Sequence, residues 1–353
     1  MNTIKYIGLE VHKLITVIAV LNEKGKQIMM TRIKTDAENF RDFFRGLSGD
    51  THVVLEEGGW SAWLYHLIKP LVTRVVVCET RHNKLIGDGN KSDDKDAFAL
   101  AELLRLNAIK VVYKGDLQQS QIRELFRSYD NLVSDATRAQ NRLKAIYRGR
   151  GLDCSGVRML RLDRRAEWLA TLSDQAARTR ADLLLQQLDT LQALRKQAKA
   201  NLIAACKQHR DYERLLTLPG FGPIRVASLL AIVGNPHRFR NKRQFWPYCG
   251  LAVVTRSSAD YIERNGQIVK KPAKAVTRGL NPNHHPQLKA VFKGAAITAR
   301  QTQEFKDYYD QLIQRGLKPA LALVSLARKL AAVTLASWKQ EEVYDPKKVF
   351  AEA

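Results

Sequence analysis

The chain has 353 residues, 45% of them hydrophobic, and its 58 Lys+Arg against 35 Asp+Glu give a formal charge of +23. That length and apolar content support roughly two domains, at the usual ~100–200 residues each, and exclude disorder as the overall state. The charge excludes the acidic or neutral balance of an ordinary metabolic enzyme and points to a polyanionic partner.

Residues 4–10 (IKYIGLE), 14–21 (LITVIAVL) and 27–34 (QIMMTRIK) predict three strands in an antiparallel meander, the second turn carrying Glu23-Lys24-Gly25-Lys26. A helix at about 36–46, a strand at 52–56, a helix at about 60–68, a strand at 74–80 and a helix at about 92–106 follow. This order, βββαβαβα, resembles the ribonuclease H-like fold, a mixed sheet flanked by helices, and sets a first domain over residues 1–115.

Residues 116–210 form a basic helical region. Its first stretch, about 116–150, holds Arg123, Arg127, Arg138, Arg142, Lys144, Arg148 and Arg150, and two glycines within 150–157 predict a break. From about 159 to 209 the residues Ala181, Leu184, Leu188, Leu191, Ala198, Leu202 and Ala205 fall mostly three or four apart, a seam that needs a partner helix. A helical hairpin within one chain and a coiled coil between subunits are equally open, although Arg195 in the seam argues against a strict coiled coil. A third, mostly helical region spans 211–345 and opens at Leu215–Gly222 (LLTLPGFG); past Trp338 the tail is expected to be unstructured.

Residues 1–110 carry a net charge of only +2, which leaves +21 for the remainder. A segregated basic region favours nucleic acid over a generally basic surface or an anionic membrane, since no basic amphipathic anchor helix is visible. The apolar stretches Val75–Cys78 and Leu229–Val233 fall far short of the ~20 residues that span a bilayer, and the N-terminus lacks a signal-peptide pattern. A soluble cytosolic protein is expected. Cys78, Cys154, Cys206 and Cys249 show no metal or disulfide spacing and are expected to be reduced and buried.

Four acids carry the chemistry. Glu10 ends the first strand, Glu56 ends the fourth, and Asp93 and Asp96 lie three apart at the start of the helix after the fifth. Adjacent strand ends and one helix face bring them to a single pocket in such a sheet. Clustered carboxylates repel unless cations neutralise them, and oxygen-only ligation suits Mg²⁺ or Mn²⁺, here two ions as in phosphoryl transfer. Singly, each acid reads equally well as a solvated turn residue, and Asp93 as a helix cap. Glu57 and Asp94 are neighbours that periodicity turns away from the pocket.

The segments Gly8-Leu9-Glu10-Val11-His12-Lys13, Glu56-Glu57-Gly58-Gly59-Trp60 and Lys91-Ser92-Asp93-Asp94-Lys95-Asp96-Ala97 resemble the successive motifs of the DEDD transposases of bacterial insertion sequences, the insertion-sequence one-ten family, related to Piv-type DNA invertases. The resemblance implies a RuvC-like N-terminal domain. One departure is Glu10, where the family usually has Asp. Leu218-Pro219-Gly220-Phe221-Gly222-Pro223 resembles the family's glycine turn, like the hairpin of helix-hairpin-helix DNA binders, where Gly220 and Gly222 would expose backbone N–H groups to a phosphate. A turn that only permits close helix packing is an equal reading.

Tyr248-Cys249-Gly250-Leu251, Ser257-Ser258-Ala259 and Asn265-Gly266-Gln267-Ile268 resemble the family's C-terminal block. The resemblance puts the nucleophile at Ser258, with Ser257 as the local competitor and Ala259 in place of the usual glycine. Attack on a phosphodiester would leave a covalent phosphoserine–DNA link, allowing strands to be rejoined without ATP. The resemblance also implies guidance by a bridge RNA and a homodimer or homotetramer in which acids and serine meet across protomers.

A basic belt, Arg238, Arg240, Lys242, Arg243, Arg256, Arg264, Lys270, Lys271, Lys274 and Arg278, is interleaved with Phe239, Phe245, Trp246, Tyr248 and Tyr261. It suits a phosphate path with stacking positions, joined by Arg138, Arg142 and Arg148 of the helical region. His284-His285 reads as loop or DNA-facing residues. Two other functions compete with the transposase: a RuvC-like nuclease using metal-activated water, and a non-catalytic nucleic-acid-binding descendant of a transposase. A sugar-kinase-like ATPase is disfavoured because no glycine-rich phosphate loop follows the first strand.

Overall fold

The computed structural model describes residues 3–79, 92–112, 114–156, 160–256, 261–264, 267–270 and 276–350. The chain divides into two compact units, one ending at Leu117 and the other beginning at Gln118.

In the first unit the strands β1 (Ile4–Val11), β2 (Ile15–Leu21) and β3 (Gln27–Lys34) form the expected antiparallel meander. The helix α1 (Ala37–Arg45), the strand β4 (Asp50–Glu56), the helix α2 (Ser61–Ile68), the strand β5 (Arg74–Cys78), the helix α3 (Asp93–Arg105) and the two-residue strand β6 (Val111–Val112) follow. The sheet order is β3-β2-β1-β4-β5-β6, with β4 parallel to both β1 and β5.

Alternation along the strands sorts residues onto two faces. Ile7, Leu9, Ile18, Val20, Val53 and Leu55 meet Phe40 and Phe44 of α1 and Leu64 and Ile68 of α2. On the opposite face Val17 and Ala19 meet Ala97 of α3, and Val54, Val76 and Cys78 meet Leu100 and Leu104. Each such fully buried aliphatic or aromatic side chain contributes ~1.5–3 kcal/mol. Gly8 lies on the α3 face, and a Cβ there would collide with the Ala97 carbonyl and the Ala101 amide. The close crossing of α3 over β1 therefore depends on Gly8.

The second unit is mostly helical. It comprises α4 (Leu117–Arg148, all but its first residue), α5 (Arg165–Ala170), α6 (Gln175–Lys207), α7 (Tyr212–Leu216), α8 (Pro223–Ile232), α9 (Lys242–Tyr248), α10 (Pro286–Ala299), α11 (Gln303–Gln314), α12 (Pro319–Gln340) and α13 (Pro346–Phe350). The two long helices form a hairpin within the chain. Ala136, Ala139, Leu143 and Ile146 of α4 share a core with Ala181, Leu185 and Leu188 of α6. Ile122 and Phe126 at the start of α4 join Leu202 and Cys206 at the end of α6 in the main core, so the helices run antiparallel.

Three expectations require correction. The helix predicted over 159–209 is broken into a short 3₁₀ turn, α5 and α6, because Asp174 caps α6 by accepting from the Ala177 amide at 2.6 Å. The third region also contains four short strands, β7 (Val253–Arg256), β8 (Tyr261–Arg264), β9 (Gln267–Lys270) and β10 (Val276–Leu280), paired as β7–β10 and β8–β9. Runs of four or five residues are too short for period-two alternation to declare itself. The tail from Trp338 to Phe350 is packed on the core: Phe350 stacks edge-on against Phe305 at 5.1 Å, and Lys329 Nζ donates to the Val349 carbonyl at 2.9 Å.

All four cysteines are buried, and none of them forms a disulfide. One helix among the described residues, α12, is long and apolar enough to cross a membrane, a feature the sequence reading missed. Its Ala322, Leu326, Ala327, Leu330 and Leu335 lie in the main core, and Arg328 at its middle donates to the Leu251 carbonyl.

Candidate active site

β1 and β4 are parallel with Gly8 opposite Val54 and Leu9 opposite Leu55, so one residue further Glu10 stands opposite Glu56. Neighbouring strands lie about 4.8 Å apart, and both positions belong to the α3 face. Asp93 and Asp96 precede by one turn Ala97 and Leu100, which seat α3 on that face. The close approach allowed by Gly8 thus sets the start of α3 over the ends of β1 and β4.

The electrostatics record this convergence. Burial pushes the Glu10 carboxyl above its ordinary pKa, and the charges of Glu56, Asp96 and Asp93 push it further against an opposing pull from His12. Ser92 caps α3 by accepting from the Lys95 amide at 3.4 Å, which leaves Asp93 free of that role. Glu57 turns away and pairs with Lys114 at 2.6 Å, and Asp94 pairs with Arg32. Both are the bystanders that periodicity indicated.

His12 is the site residue that sequence reasoning missed. Its Nε2 lies 3.3 Å from Asp93 Oδ1 and 3.9 Å from Glu10 Oε1. The signal was partial, because His12 follows the end of β1 at the two-residue spacing that would keep it on the face of Glu10.

Oxygen donors in a region of concentrated negative charge fit a hard divalent cation. Among the described residues no group of three or more His, Cys, Asp or Glu side chains is arranged to hold an ion. The acids form a shared electrostatic neighbourhood and not a closed coordination cage.

In the second unit, Ser258, with its competitor Ser257, and Lys271 lie outside the described residues, as do the side chains of Arg256 and Lys270. The loop that leads into β7 is firmly anchored. Gly250, at φ +66°, packs directly against the His284 ring, whose Nδ1 lies 2.7 Å from the Asn281 carbonyl oxygen. His285 is half-buried and its amide donates to the Tyr248 carbonyl at 3.0 Å, so both histidines belong to this anchor.

Gly220 has φ +76° and presses on the Ala295 carbonyl, and Arg225 donates to the Gly220 carbonyl. Close packing is its visible role. Gly222 is the N-cap of α8, and a Cβ there would meet nothing within 4 Å among the described residues.

The basic residues divide sharply. Arg238 is half-buried and donates to the Ile232 and Val233 carbonyls at 3.3 and 3.0 Å, closing the C-terminus of α8. Arg240, Lys242 and Arg243 are exposed around the start of α9, with Lys242 over the Trp246 ring. On α4, Arg138, Arg142 and Arg148 are exposed, Arg138 pairing with Asp135 at 3.0 Å. Of the interleaved aromatics, Phe239 and Phe245 are core residues and Tyr261 is exposed.

Comparison with known proteins matches this chain to two family models. Residues 7–149 match one described as transposase, the DEDD type of insertion sequence IS110. Residues 212–310 match one described as transposase of the IS116/IS110/IS902 family. The chain is similar to the transposase of insertion sequence element IS1111A from Coxiella burnetii, with 24% identity over 98% of this chain and 92% of that protein. It is also similar to a probable family 20 transposase of Pseudomonas aeruginosa, with 25% identity over 96% and 98% of the two chains. A third relative, the 43.6 kDa protein of insertion element IS110 from Streptomyces coelicolor, is 25% identical over 72% of each chain.

Proposed function

From the premise that this chain belongs to the IS110 family of DEDD insertion-sequence transposases, we propose that it cuts and rejoins DNA strands by serine attack assisted by divalent metal at the end of its N-terminal sheet. The observation that carries this reading is geometric: the register of β1 and β4 sets Glu10 opposite Glu56 on the face where α3 begins with Asp93 and Asp96. Burial and the neighbouring charges of Glu56, Asp96 and Asp93 push the Glu10 carboxyl up, in keeping with carboxylates gathered for a cation.

The strand order β3-β2-β1-β4-β5, with a meander followed by parallel strands, supports a ribonuclease H-like and RuvC-like unit. Glu10, Glu56, Asp93 and Asp96 would hold Mg²⁺ or Mn²⁺, in the two-ion arrangement. Such ions, when bound, polarise the scissile phosphate and assist deprotonation of the attacking group. His12, 3.3 Å from Asp93 and 3.9 Å from Glu10, would help to orient the Asp93 carboxylate. Ser258 supplies the attacking oxygen, its Oγ forming a bond to phosphorus as the strand's own oxygen leaves, so a phosphoserine link preserves the energy for rejoining. Its assignment rests on the resemblance of the flanking motifs. The anchored loop at Gly250 and the His284 ring would give the serine-bearing segment a fixed base.

DNA ends and target are the substrates, and Arg240, Lys242 and Arg243, with Arg138, Arg142 and Arg148, offer exposed phosphate contacts. A bridge RNA and a homodimer or homotetramer complete the reading, in the bacterial cytoplasm at the nucleoid. Incubation of the purified chain with its element's end DNA, the RNA encoded beside it and Mg²⁺ tests this. Cleavage with a protein–DNA adduct is expected, and Ser258→Ala should abolish the adduct. Undiminished cleavage by Ser258→Ala would assign the chemistry to water instead.

A further inference from the structure

Trp60 is placed where neither core packing nor helix formation accounts for it, and core packing accounts for only one side of Trp63. Trp60 is 42% exposed and Trp63 37% exposed, and their ring centroids lie 5.9 Å apart with planes at 64°. Two large aromatic side chains exposed side by side are a patch that folding alone does not favour. Trp60 is the N-cap of α2, where Ser, Thr, Asp or Asn is preferred, and its side chain makes no capping hydrogen bond. Trp63 is rooted, meeting the fully buried Phe40 edge-on at 6.1 Å. One ring is thus fixed and the other rests against it.

The pair shares an end of the sheet with the acids, on the α1 and α2 face opposite the one that carries Glu10 and Glu56. β1 and β4 are parallel, so Glu10 and Glu56 emerge at that same end, and Trp60 follows Glu56 by four residues. Four residues reach at most about 14 Å. Gly58 and Gly59 intervene, and a Cβ at either would meet nothing within 4 Å among the described residues. The acid between them and Glu56, Glu57, is neutralised by Lys114, which also donates to Ser61 Oγ at 3.2 Å. A polyanion therefore meets no uncompensated charge on this turn.

We propose that Trp60, buttressed by Trp63, stacks an unpaired base of the DNA strand whose phosphate would be held by the divalent ions of Glu10, Glu56, Asp93 and Asp96. The assignment rests on the acid-site reading above. An indole face accepts any base, so the platform would hold a splayed nucleotide near the reacting phosphate without reading its identity.

The test uses the full chain with Ca²⁺ in place of Mg²⁺, so that the acid site can be loaded while cleavage is suppressed, and single-stranded DNA of the element's end with 2-aminopurine placed at successive positions. Quenching at one position is expected for the wild type and for Trp60→Phe. Trp60→Leu should lose it and bind about 5- to 150-fold more weakly. Photocrosslinking of the wild type to 5-iododeoxyuridine at that position should map to Trp60 or Trp63, a result independent of how any variant folds. Wild-type quenching by Trp60→Leu, crosslinks mapping elsewhere, or stronger quenching with an RNA of the same sequence would each overturn the proposal. Full cleavage by Glu56→Ala would instead sink the acid-site reading and leave the stacking result standing.

Discussion

The acidic end of the first sheet and the basic surfaces of the second unit use charge in opposite ways. In the sheet, register and the close crossing at Gly8 concentrate carboxylates until Glu10 is pushed above its ordinary pKa. In the second unit cations are numerous, yet several serve the fold: Arg225, Arg238 and Arg328 donate to the carbonyls of Gly220, of Ile232 and Val233, and of Leu251. An excess of charge names a partner class, whereas charge held together against its own repulsion locates chemistry.

The sharpest way to break this comparison is to remove an acid. Glu56→Ala or Asp93→Ala should cut strand cleavage at least about a hundredfold, the scale of several kcal/mol of transition-state stabilisation, while nucleic-acid binding persists. Loss of binding in a gel-shift assay would show that these acids support the fold instead.

A backbone change comes next. Gly8→Ala should destabilise the first unit by about 1–3 kcal/mol, because the Ala97 carbonyl has nowhere to go without lifting α3. Cleavage should fall with it, and an unchanged melting temperature would refute the role given to Gly8.

Arg238 and Arg243 divide the basic belt. Arg238→Ala should cost about 1 kcal/mol of stability through the lost bonds at the end of α8. Arg243→Ala should leave stability within about 0.5 kcal/mol and instead lower the slope of log affinity against log salt by about 1. Salt titrations and thermal melts together separate the two.

The smallest effect concerns Glu10 itself. A carboxyl whose pKa is higher in the folded than in the unfolded chain takes up its proton more readily when folded, so its ionisation costs stability. That cost is absent below the ordinary carboxylate range, grows as pH rises through it, and is complete above the folded pKa. Glu10→Gln should therefore melt slightly higher than the wild type at neutral pH without divalent ions, with the gap closing in acid. A lower melting temperature at neutral pH would contradict the repulsion.

Much of the first unit was legible because its first four strands are seven or eight residues long, and those covered on both faces read as β-branched, nearly continuous apolar runs. The acids could be proposed from their place at strand ends together with the motifs around them, and periodicity pointed Glu57 and Asp94 elsewhere, where they pair with Lys114 and Arg32. His12 went unread because a histidine two residues from an acid is ordinary in sequence and acquires meaning only when Asp93 arrives from another element. The packed tail was also missed: Tyr344, Val349 and Phe350 look like isolated apolar residues until the core offers them a surface.

By itself the sequence determined the order of elements from β1 to α3, the segregation of positive charge and the family motifs, since these depend on residue spacing along the chain. Tertiary structure alone decided that the seam of α6 is met by α4 of the same chain, that Arg238 closes a helix end, and that Glu10 faces Glu56 beneath the start of α3. The reason is physical. Local propensity acts over a few residues, whereas pairing, burial and mutual repulsion are set by groups far apart in the chain, whose distances exist only once the fold has closed.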